Sequence, residues 1–120
     1  MKMMVVDDSS IIRRQISRYV MLHEIEEVMD AANGLEALKR FRIKSPELVT
    51  MDLTMPQLDG LKCIEQIISL KPDTRILVIS ALADKATAIE ALKKGARGFL
   101  CKPFSDVELN EALRELITDD

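Results

Sequence analysis

Cysteine and aromatic side chains are scarce in this sequence of 120 residues. It contains two cysteines, three phenylalanines, one tyrosine and no tryptophan. Cys63 and Cys101 lie too far apart to match the spacing of a structural metal site, and two cysteines are too few for a disulfide framework. We therefore expect two free thiols in the reducing environment of a cytoplasm.

The sequence also lacks an excess of positive charge and any long apolar run. Its formal net charge is -3, so it offers no broad attraction to nucleic acid or to anionic lipid. No apolar stretch approaches the roughly 20 residues that cross a bilayer, and the N-terminus lacks the architecture of a signal peptide. These absences predict a cytoplasmic protein that binds other proteins, with no direct binding to nucleic acid or membrane.

Short apolar runs alternate with amphipathic stretches along the whole chain. The apolar runs predict five strands, at 2–6, 27–31, 48–51, 75–79 and 98–101, and the stretches after them have the period of a helix. With 48% hydrophobic and 31% charged residues, the composition is that of an ordinary globular domain. Five βα units predict one α/β domain over residues 1–120, built on a doubly wound five-stranded parallel sheet.

Capping signals mark where the helices begin and end. Ser9 or Ser10 can cap the first helix, Asp59 the third, and Ser105 with Glu108 forms a capping box for the fifth. Gly95 is expected to close the fourth helix in a left-handed conformation. The helical period assigns the following residues to inward faces: Leu35, Leu38 and Phe41 in the second helix, Ala88, Ile89 and Leu92 in the fourth, and Val107, Leu109, Ala112, Leu113 and Leu116 in the fifth.

Polar residues that can support phosphate chemistry follow four of the predicted strands. Asp7 and Asp8 follow the first strand, Asp52 the third, Ser80 the fourth and Lys102 the fifth. Because parallel sheets bind ligands beyond the carboxyl ends of their strands, we expect these side chains to converge on one edge. Oxygen ligands for a metal, an oxygen nucleophile, a hydroxyl and a cation are the groups that Mg²⁺-assisted phosphoryl transfer needs.

Taken singly, these residues have simpler interpretations. An aspartate at a strand end is most often a turn residue or a helix cap. Ser80 could be a helix cap, and Lys102 could be a solvated lysine. Three carboxylates on adjacent strand ends favour a functional site, because clustered anions destabilise a fold unless a cation compensates.

Several other residues receive structural interpretations. Arg13, Arg14 and Arg18 are assigned to a solvated helix face, with a docking surface for an acidic partner as the alternative. Cys101 is assigned to the strand core, although its place beside Lys102 makes its thiol worth a reactivity test. The single histidine, His23, is assigned to a surface loop.

Together these motifs resemble the receiver domain of two-component response regulators, and in particular its stand-alone, CheY-like members. The resemblance rests on Asp7-Asp8, the stretch 52–60, Ser80-Ala81 and the stretch 95–103, and it spans the whole chain. It implies the strand order 2-1-3-4-5, which places the first strand beside the third at the topological switch point.

The resemblance also implies roles for the acidic residues. Asp52 would accept a phosphoryl group from a histidine kinase or a histidine phosphotransfer domain, since a carboxylate nucleophile needs no general base. Asp8 and Asp52 would bind Mg²⁺ directly, the backbone carbonyl of Thr54 would be a third ligand, and Asp7 would act through water.

The remaining site residues are expected to stabilise the phosphoryl group and report its presence. Ser80 and Lys102 would each contact a phosphoryl oxygen, and a cis bond before Pro103 would hold Lys102 in place. Phe99 stands where many family members have tyrosine. Its ring could switch between inward and outward positions, but it would lack the contact that the tyrosine hydroxyl makes. Thr54 and Leu82 occupy variable positions that are expected to tune the lifetime of the phosphoryl group.

The implied protein is a signalling switch without turnover of an external substrate. With no output domain in the sequence, its signal would leave through the face formed by the fourth helix, fifth strand and fifth helix, toward a downstream protein or a second copy. A small phosphatase of the haloacid dehalogenase type is one alternative, but it would want an aspartate where Thr54 stands. A phosphorylation-independent binding module with a vestigial pocket is the other alternative.

Overall fold

The computed structural model describes residues 1–20, 25–55, 59–81 and 84–118. His23, Leu82 and residues 56–58 of the 52–60 motif lie outside the described residues. Within the described ranges the chain forms five strands and five helices. The strands are β1 (Lys2–Val6), β2 (Glu27–Ala31), β3 (Leu48–Met51), β4 (Arg75–Ser80) and β5 (Gly98–Cys101). The helices are α1 (Ser10–Val20), α2 (Gly34–Lys44), α3 (Gly60–Leu70), α4 (Lys85–Lys93) and α5 (Asp106–Thr118).

The strands form one parallel sheet in the order β2-β1-β3-β4-β5, which confirms the predicted fold and strand order. The β1–β3 pairing ends at Val6 opposite Met51. Immediately beyond it the Asp52 N–H donates to the Val6 carbonyl over 3.0 Å, and the Asp7 N–H donates to the Ala31 carbonyl over 3.1 Å. These hydrogen bonds extend the pairing between strands by one residue beyond the strand ends. The side chains of Asp7 and Asp52 therefore project from adjacent backbone positions.

The two faces of the sheet carry separate hydrophobic clusters. Alternate residues of a strand point to opposite faces, and both faces of the central strands are covered. Met4 and Val6 therefore pack into the cluster under α2, α3 and α4, whereas Met3 and Val5 pack into the cluster under α1 and α5. Burial on both faces explains why β1 and β3 are almost wholly apolar. None of the described helices is long and apolar enough to cross a membrane.

The capping predictions for the third, fourth and fifth helices are confirmed. The Asp59 carboxylate accepts from the Lys62 N–H over 2.9 Å. The Ser105 hydroxyl accepts from the Glu108 N–H, while the Glu108 carboxylate accepts from the Ser105 N–H. Gly95 has φ +120°, the left-handed region that favours glycine.

Four apolar residues assigned to inward faces are instead exposed. Leu35, Ile89, Leu92 and Val107 are 55, 42, 49 and 66% exposed. In α4 the buried residue is Ala91. Because successive helical residues are rotated by about 100°, a helix that turns Ala91 toward the sheet turns Leu92 and Ile89 away from it. Leu35 and Val107 lie in the first turns of their helices, at the rim of the sheet.

The assignment of Cys101 to the strand core is also wrong. Cys101 is exposed, because it is the last residue of β5 and β5 is an edge strand. Cys63 is buried, and burial raises the pKa of its thiol to about 12. Both cysteines are free, as predicted.

Thr50 has the one buried side-chain oxygen without a hydrogen-bond partner among the described residues. We expect Thr50→Val to stabilise the protein by about 1 kcal/mol, because valine keeps the shape of threonine and removes the unsatisfied hydroxyl. Denaturant unfolding measures the difference. Thr74→Val is the matched control, since the buried Thr74 hydroxyl donates to the Lys71 carbonyl over 2.8 Å. The control should be destabilised, and a destabilised Thr50→Val variant would contradict the prediction.

Candidate metal and phosphoryl-transfer site

Three carboxylates meet at the carboxyl edge of the sheet. Asp7 and Asp52 follow the adjacent strands β1 and β3 and are 1% and 2% exposed, whereas Asp8 is exposed. One carboxylate oxygen from each of the three lies within 4.8 Å of the others. The structure thus brings together the acidic residues that the sequence placed at this edge.

Thr54 and Lys102 orient the Asp52 carboxylate. Its Oδ1 accepts from the Thr54 N–H and from the Thr54 hydroxyl, each over 3.2 Å. Its Oδ2 lies 3.5 Å from Lys102 Nζ. Both carboxylate oxygens of Asp52 are therefore held in place, one by Thr54 and the other by Lys102.

Lys102 is bound more closely to Asp7 than to Asp52. Lys102 Nζ lies 2.7 Å from Asp7 Oδ2, and the Ser9 N–H donates to Asp7 Oδ1 over 2.9 Å. Burial raises the pKa of the Asp7 carboxyl, and the hydrogen bond from Lys102 offsets only part of this effect. Burial alone would lower the pKa of Lys102, but the hydrogen bond and charge of Asp7, with the charge of Asp52, raise it. The ammonium form is therefore favoured.

Ser80 and Lys102 come from neighbouring strand ends. Ser80 is fully buried, and its carbonyl accepts from the Lys102 N–H over 3.0 Å. The Lys102–Pro103 peptide bond is cis. Phe99 lies opposite Val78 in the β4–β5 pairing and packs, partly buried, against the cluster under α2, α3 and α4.

The sequence did not indicate that Arg13 and Asp30 lie beside this site. Arg13 Nη1 donates to the Asp7 carbonyl over 2.7 Å, and Arg13 Nε donates to Asp30 Oδ2 over 2.9 Å. The Arg13 side chain is only 18% exposed, so its assignment to a solvated face is wrong. An acidic residue between apolar neighbours near the end of β2 was the available signal that a cation lies nearby.

The donor set fits Mg²⁺. Three carboxylates supply hard oxygen atoms close to one another, and Lys102 is the cation paired with them in the described part of the chain. Two of the carboxylates are buried, so a divalent cation would relieve repulsion between charges that water screens poorly. Asp7, Asp8 and Asp52 are the side chains that could hold the ion.

The sequence matches the response regulator receiver domain over residues 3–114. The chain belongs to this receiver family. Two similar curated proteins are named Chemotaxis protein CheY. The protein from Listeria monocytogenes is 37% identical over 115 residues, covering 96% of this receiver domain and 97% of the relative. The protein from Thermotoga maritima is 35% identical over 115 residues, covering 96% of each chain.

Solved structures share the fold of this receiver domain. One is described as a CheX–CheY–BeF3–Mg²⁺ complex from Borrelia burgdorferi; it matches with a TM-score of 0.89 and 26% identity, covering 99% of this chain and 90% of that one. The response regulator domain of Thermotoga maritima CheB matches with a TM-score of 0.81 and 29% identity, covering 98% and 93%. This protein is therefore a receiver domain of the CheY type, a family of signalling proteins.

Proposed function

We propose that this receiver domain is a phosphorylatable switch in the cytoplasm. It takes a phosphoryl group onto Asp52 from a histidine kinase or a histidine phosphotransfer domain, with Mg²⁺ as cofactor, and then changes its affinity for a downstream protein. The observation that carries this proposal is the buried Asp52 carboxylate, held between Thr54 and Lys102 and lying within 4.8 Å of oxygens from Asp7 and Asp8.

In the proposed transfer, an Asp52 oxygen forms a bond to phosphorus while the P–N bond of the phosphohistidine breaks. The electron pair of that bond leaves with the imidazole nitrogen, and Asp52 becomes an acyl phosphate. Thr54 supports this step because its two hydrogen bonds fix the carboxylate before the donor arrives. Threonine at the position where such a phosphatase would need a second aspartate also argues against the phosphatase alternative.

Asp8 and Asp52 are proposed to hold Mg²⁺ directly, together with the Thr54 carbonyl, and Asp7 to hold it through water. When bound, the ion supplies positive charge between the anionic nucleophile and the anionic donor. Asp7 is already hydrogen-bonded to Lys102 and the Ser9 N–H, which agrees with an indirect role.

Lys102 and Ser80 are proposed to bind the phosphoryl oxygens. The Lys102 ammonium lies between the Asp7 and Asp52 carboxylates, at 2.7 and 3.5 Å, so it stands beside the atoms where new negative charge would appear. The Pro103 ring follows directly and limits the backbone at Lys102. Ser80 ends the neighbouring strand, within reach of the same edge.

Incubation with acetyl phosphate and Mg²⁺ tests the proposed function. We expect one added phosphoryl group, removed by hydroxylamine because acyl phosphates react with it, and located on Asp52 by peptide mass spectrometry. Omitting Mg²⁺ and adding a chelator should prevent the reaction. Stable labelling at a histidine or serine, or no labelling at all, would contradict the proposal.

Phe99 is proposed to carry the signal from the site to the surface. Val78 and Ser80 point to the same face of β4, and Phe99 lies opposite Val78. If Ser80 moves toward a phosphoryl oxygen, the space it leaves lets the Phe99 ring rotate further inward. A ligand shifts such an equilibrium only by its differential affinity for the two states, so both ring positions should be populated without modification.

We expect Phe99→Ala to reduce the effect of activation on α4 and β5. Beryllofluoride with Mg²⁺ should shift the amide resonances of these elements in the wild type, and the shifts should be much smaller in the variant while those around Asp52 persist. Leu100→Ala is the control, because Leu100 packs against the opposite face of the sheet. Full wild-type shifts in Phe99→Ala would exclude the ring as the link.

The output surface is proposed to be the face formed by α4, β5 and α5. The apolar residues that the sequence assigned to the interior, Ile89, Leu92 and Val107, are exposed on these helices, and Cys101 is exposed on the intervening strand. Apolar side chains of this kind support binding of a downstream protein or of a second copy. The proposed domain covers residues 1–120 and turns over no external substrate.

A further inference from the structure

Asp8 differs from the other two acidic residues in how it is held. Asp7 and Asp52 each accept hydrogen bonds at both carboxylate oxygens, from Ser9, Thr54 and Lys102. The exposed Asp8 carboxylate has no hydrogen bond or ion pair with the described residues. The position of the Asp8 carboxylate relative to those of Asp7 and Asp52 therefore depends on the main chain at Asp7 and Asp8.

Arg13 is hydrogen-bonded to the main chain between Asp7 and Asp8. The peptide group between Asp7 and Asp8 is planar, so fixing its oxygen also fixes the nitrogen and Cα of Asp8. That oxygen accepts a hydrogen bond of 2.7 Å from Arg13 Nη1. The Asp7 N–H is bonded to the Ala31 carbonyl in the β1–β2 ladder. Asp7 is thus held at both ends of its main chain.

Asp30 holds the Arg13 guanidinium in turn. Asp30 Oδ2 lies 2.9 Å from Arg13 Nε, and Asp30 belongs to β2, the strand next to β1. A planar guanidinium that donates in two directions has little freedom to move. The Asp30 carboxylate also neutralises the guanidinium, so the positive charge near the acidic residues is compensated.

From these contacts we infer that Arg13, held by Asp30, is a positioning residue for the metal ligand Asp8. The inference rests on the proposed Mg²⁺-dependent function. Arg13 does not touch the ion or the phosphoryl group. It sets the plane of the Asp7–Asp8 peptide and so keeps the Asp8 carboxylate in place without a hydrogen bond to that carboxylate.

The sign of the change in Mg²⁺ affinity tests this inference. Arg13→Met removes a positive charge close to a cation site, so electrostatics alone predicts tighter Mg²⁺ binding. Loss of positioning predicts weaker binding, by about tenfold, as for other residues that orient metal ligands. Arg14→Met is the matched control, since Arg14 is exposed and its side chain makes no hydrogen bond or ion pair with the described residues. It should bind Mg²⁺ as the wild type does or slightly more tightly.

Isothermal titration with Mg²⁺, at a temperature where every variant is folded by circular dichroism, gives the affinities. Asp8→Ala should show no Mg²⁺ binding. Arg13→Lys keeps the positive charge, but a lysine cannot bridge Asp30 and the Asp7 carbonyl as a rigid fork, so this variant should also bind Mg²⁺ more weakly. If Arg13→Met does not fold, Arg13→Lys replaces it as the test variant.

The outcomes separate the inference from the proposed function. If the wild type binds no Mg²⁺, the proposed function fails and the inference fails with it. If the wild type binds Mg²⁺ and both Arg13 variants bind it equally or more tightly, the inference alone is overturned. A lower thermal midpoint with unchanged Mg²⁺ affinity would assign Arg13 a purely structural role and would equally overturn it.

Discussion

The Asp52→Asn variant is expected to take up no detectable phosphoryl group from acetyl phosphate while keeping the wild-type fold. Asparagine has the shape of aspartate, and its amide oxygen can still accept the two hydrogen bonds from Thr54 that orient this side chain. A neutral amide is a poor nucleophile, so the reaction loses its attacking group. Intact mass spectrometry after incubation with Mg²⁺ and acetyl phosphate measures the result.

Stability should respond to this substitution in the opposite direction from activity. Asp52 lies buried beside Asp7, so removing one negative charge relieves repulsion, while Lys102 keeps its closer partner at 2.7 Å. The unfolding midpoint without Mg²⁺ should therefore be equal to or above that of the wild type. Asp84→Asn is the matched control, since Asp84 is exposed and makes no side-chain capping bond. It should be labelled like the wild type, and labelling of Asp52→Asn to the same extent would refute Asp52 as the acceptor.

Gly60→Ala is expected to destabilise the protein by about 3 kcal/mol, in the range for overpacking a core. A Cβ at Gly60 would lie 2.5 Å from the Asp52 carbonyl oxygen and 2.6 Å from Leu53 Cα. Both are backbone atoms of the segment that carries Asp52, the proposed phosphoryl acceptor, so the clash can be relieved only by moving this segment or α3. Helix propensity alone predicts the reverse, because alanine is about 1 kcal/mol better than glycine inside a helix.

Denaturant unfolding of Gly60→Ala and Gly98→Ala separates these two effects. A Cβ at Gly98 would meet only the end of the Leu77 side chain, at 3.1 Å, and this flexible group can move. The Gly98 variant should therefore change stability by less than about 1 kcal/mol. If Gly60→Ala folds, it should also be phosphorylated more slowly, because Asp52 is displaced. A Gly60→Ala variant as stable as the wild type would show that α3 can shift without cost.

Strand positions and helix caps were predictable because their signals are local. A run such as 48–51 is apolar because both faces of β3 are covered, and the capping box at Ser105 and Glu108 satisfies backbone groups within one turn. Predictions about the orientation of helices on the sheet were less accurate. Burying Ala91 rather than Leu92 corresponds to a rotation of α4 about its axis by one residue, or about 100°. The pattern of apolar residues within α4 does not distinguish the two orientations.

The residues that end the strands could be identified from the sequence alone, and it followed that Asp7, Asp52 and Lys102 share one edge of the sheet. Parallel strands place their carboxyl ends together whatever the details of packing. Two features of the site are visible only in the folded protein: Arg13 reaches the Asp7 carbonyl and Asp30, and Gly60 lies against the backbone of Asp52. These contacts join separate segments of the chain. They depend on how each helix is rotated and placed on the sheet, which is set by the packing of the whole core rather than by the residues of one helix.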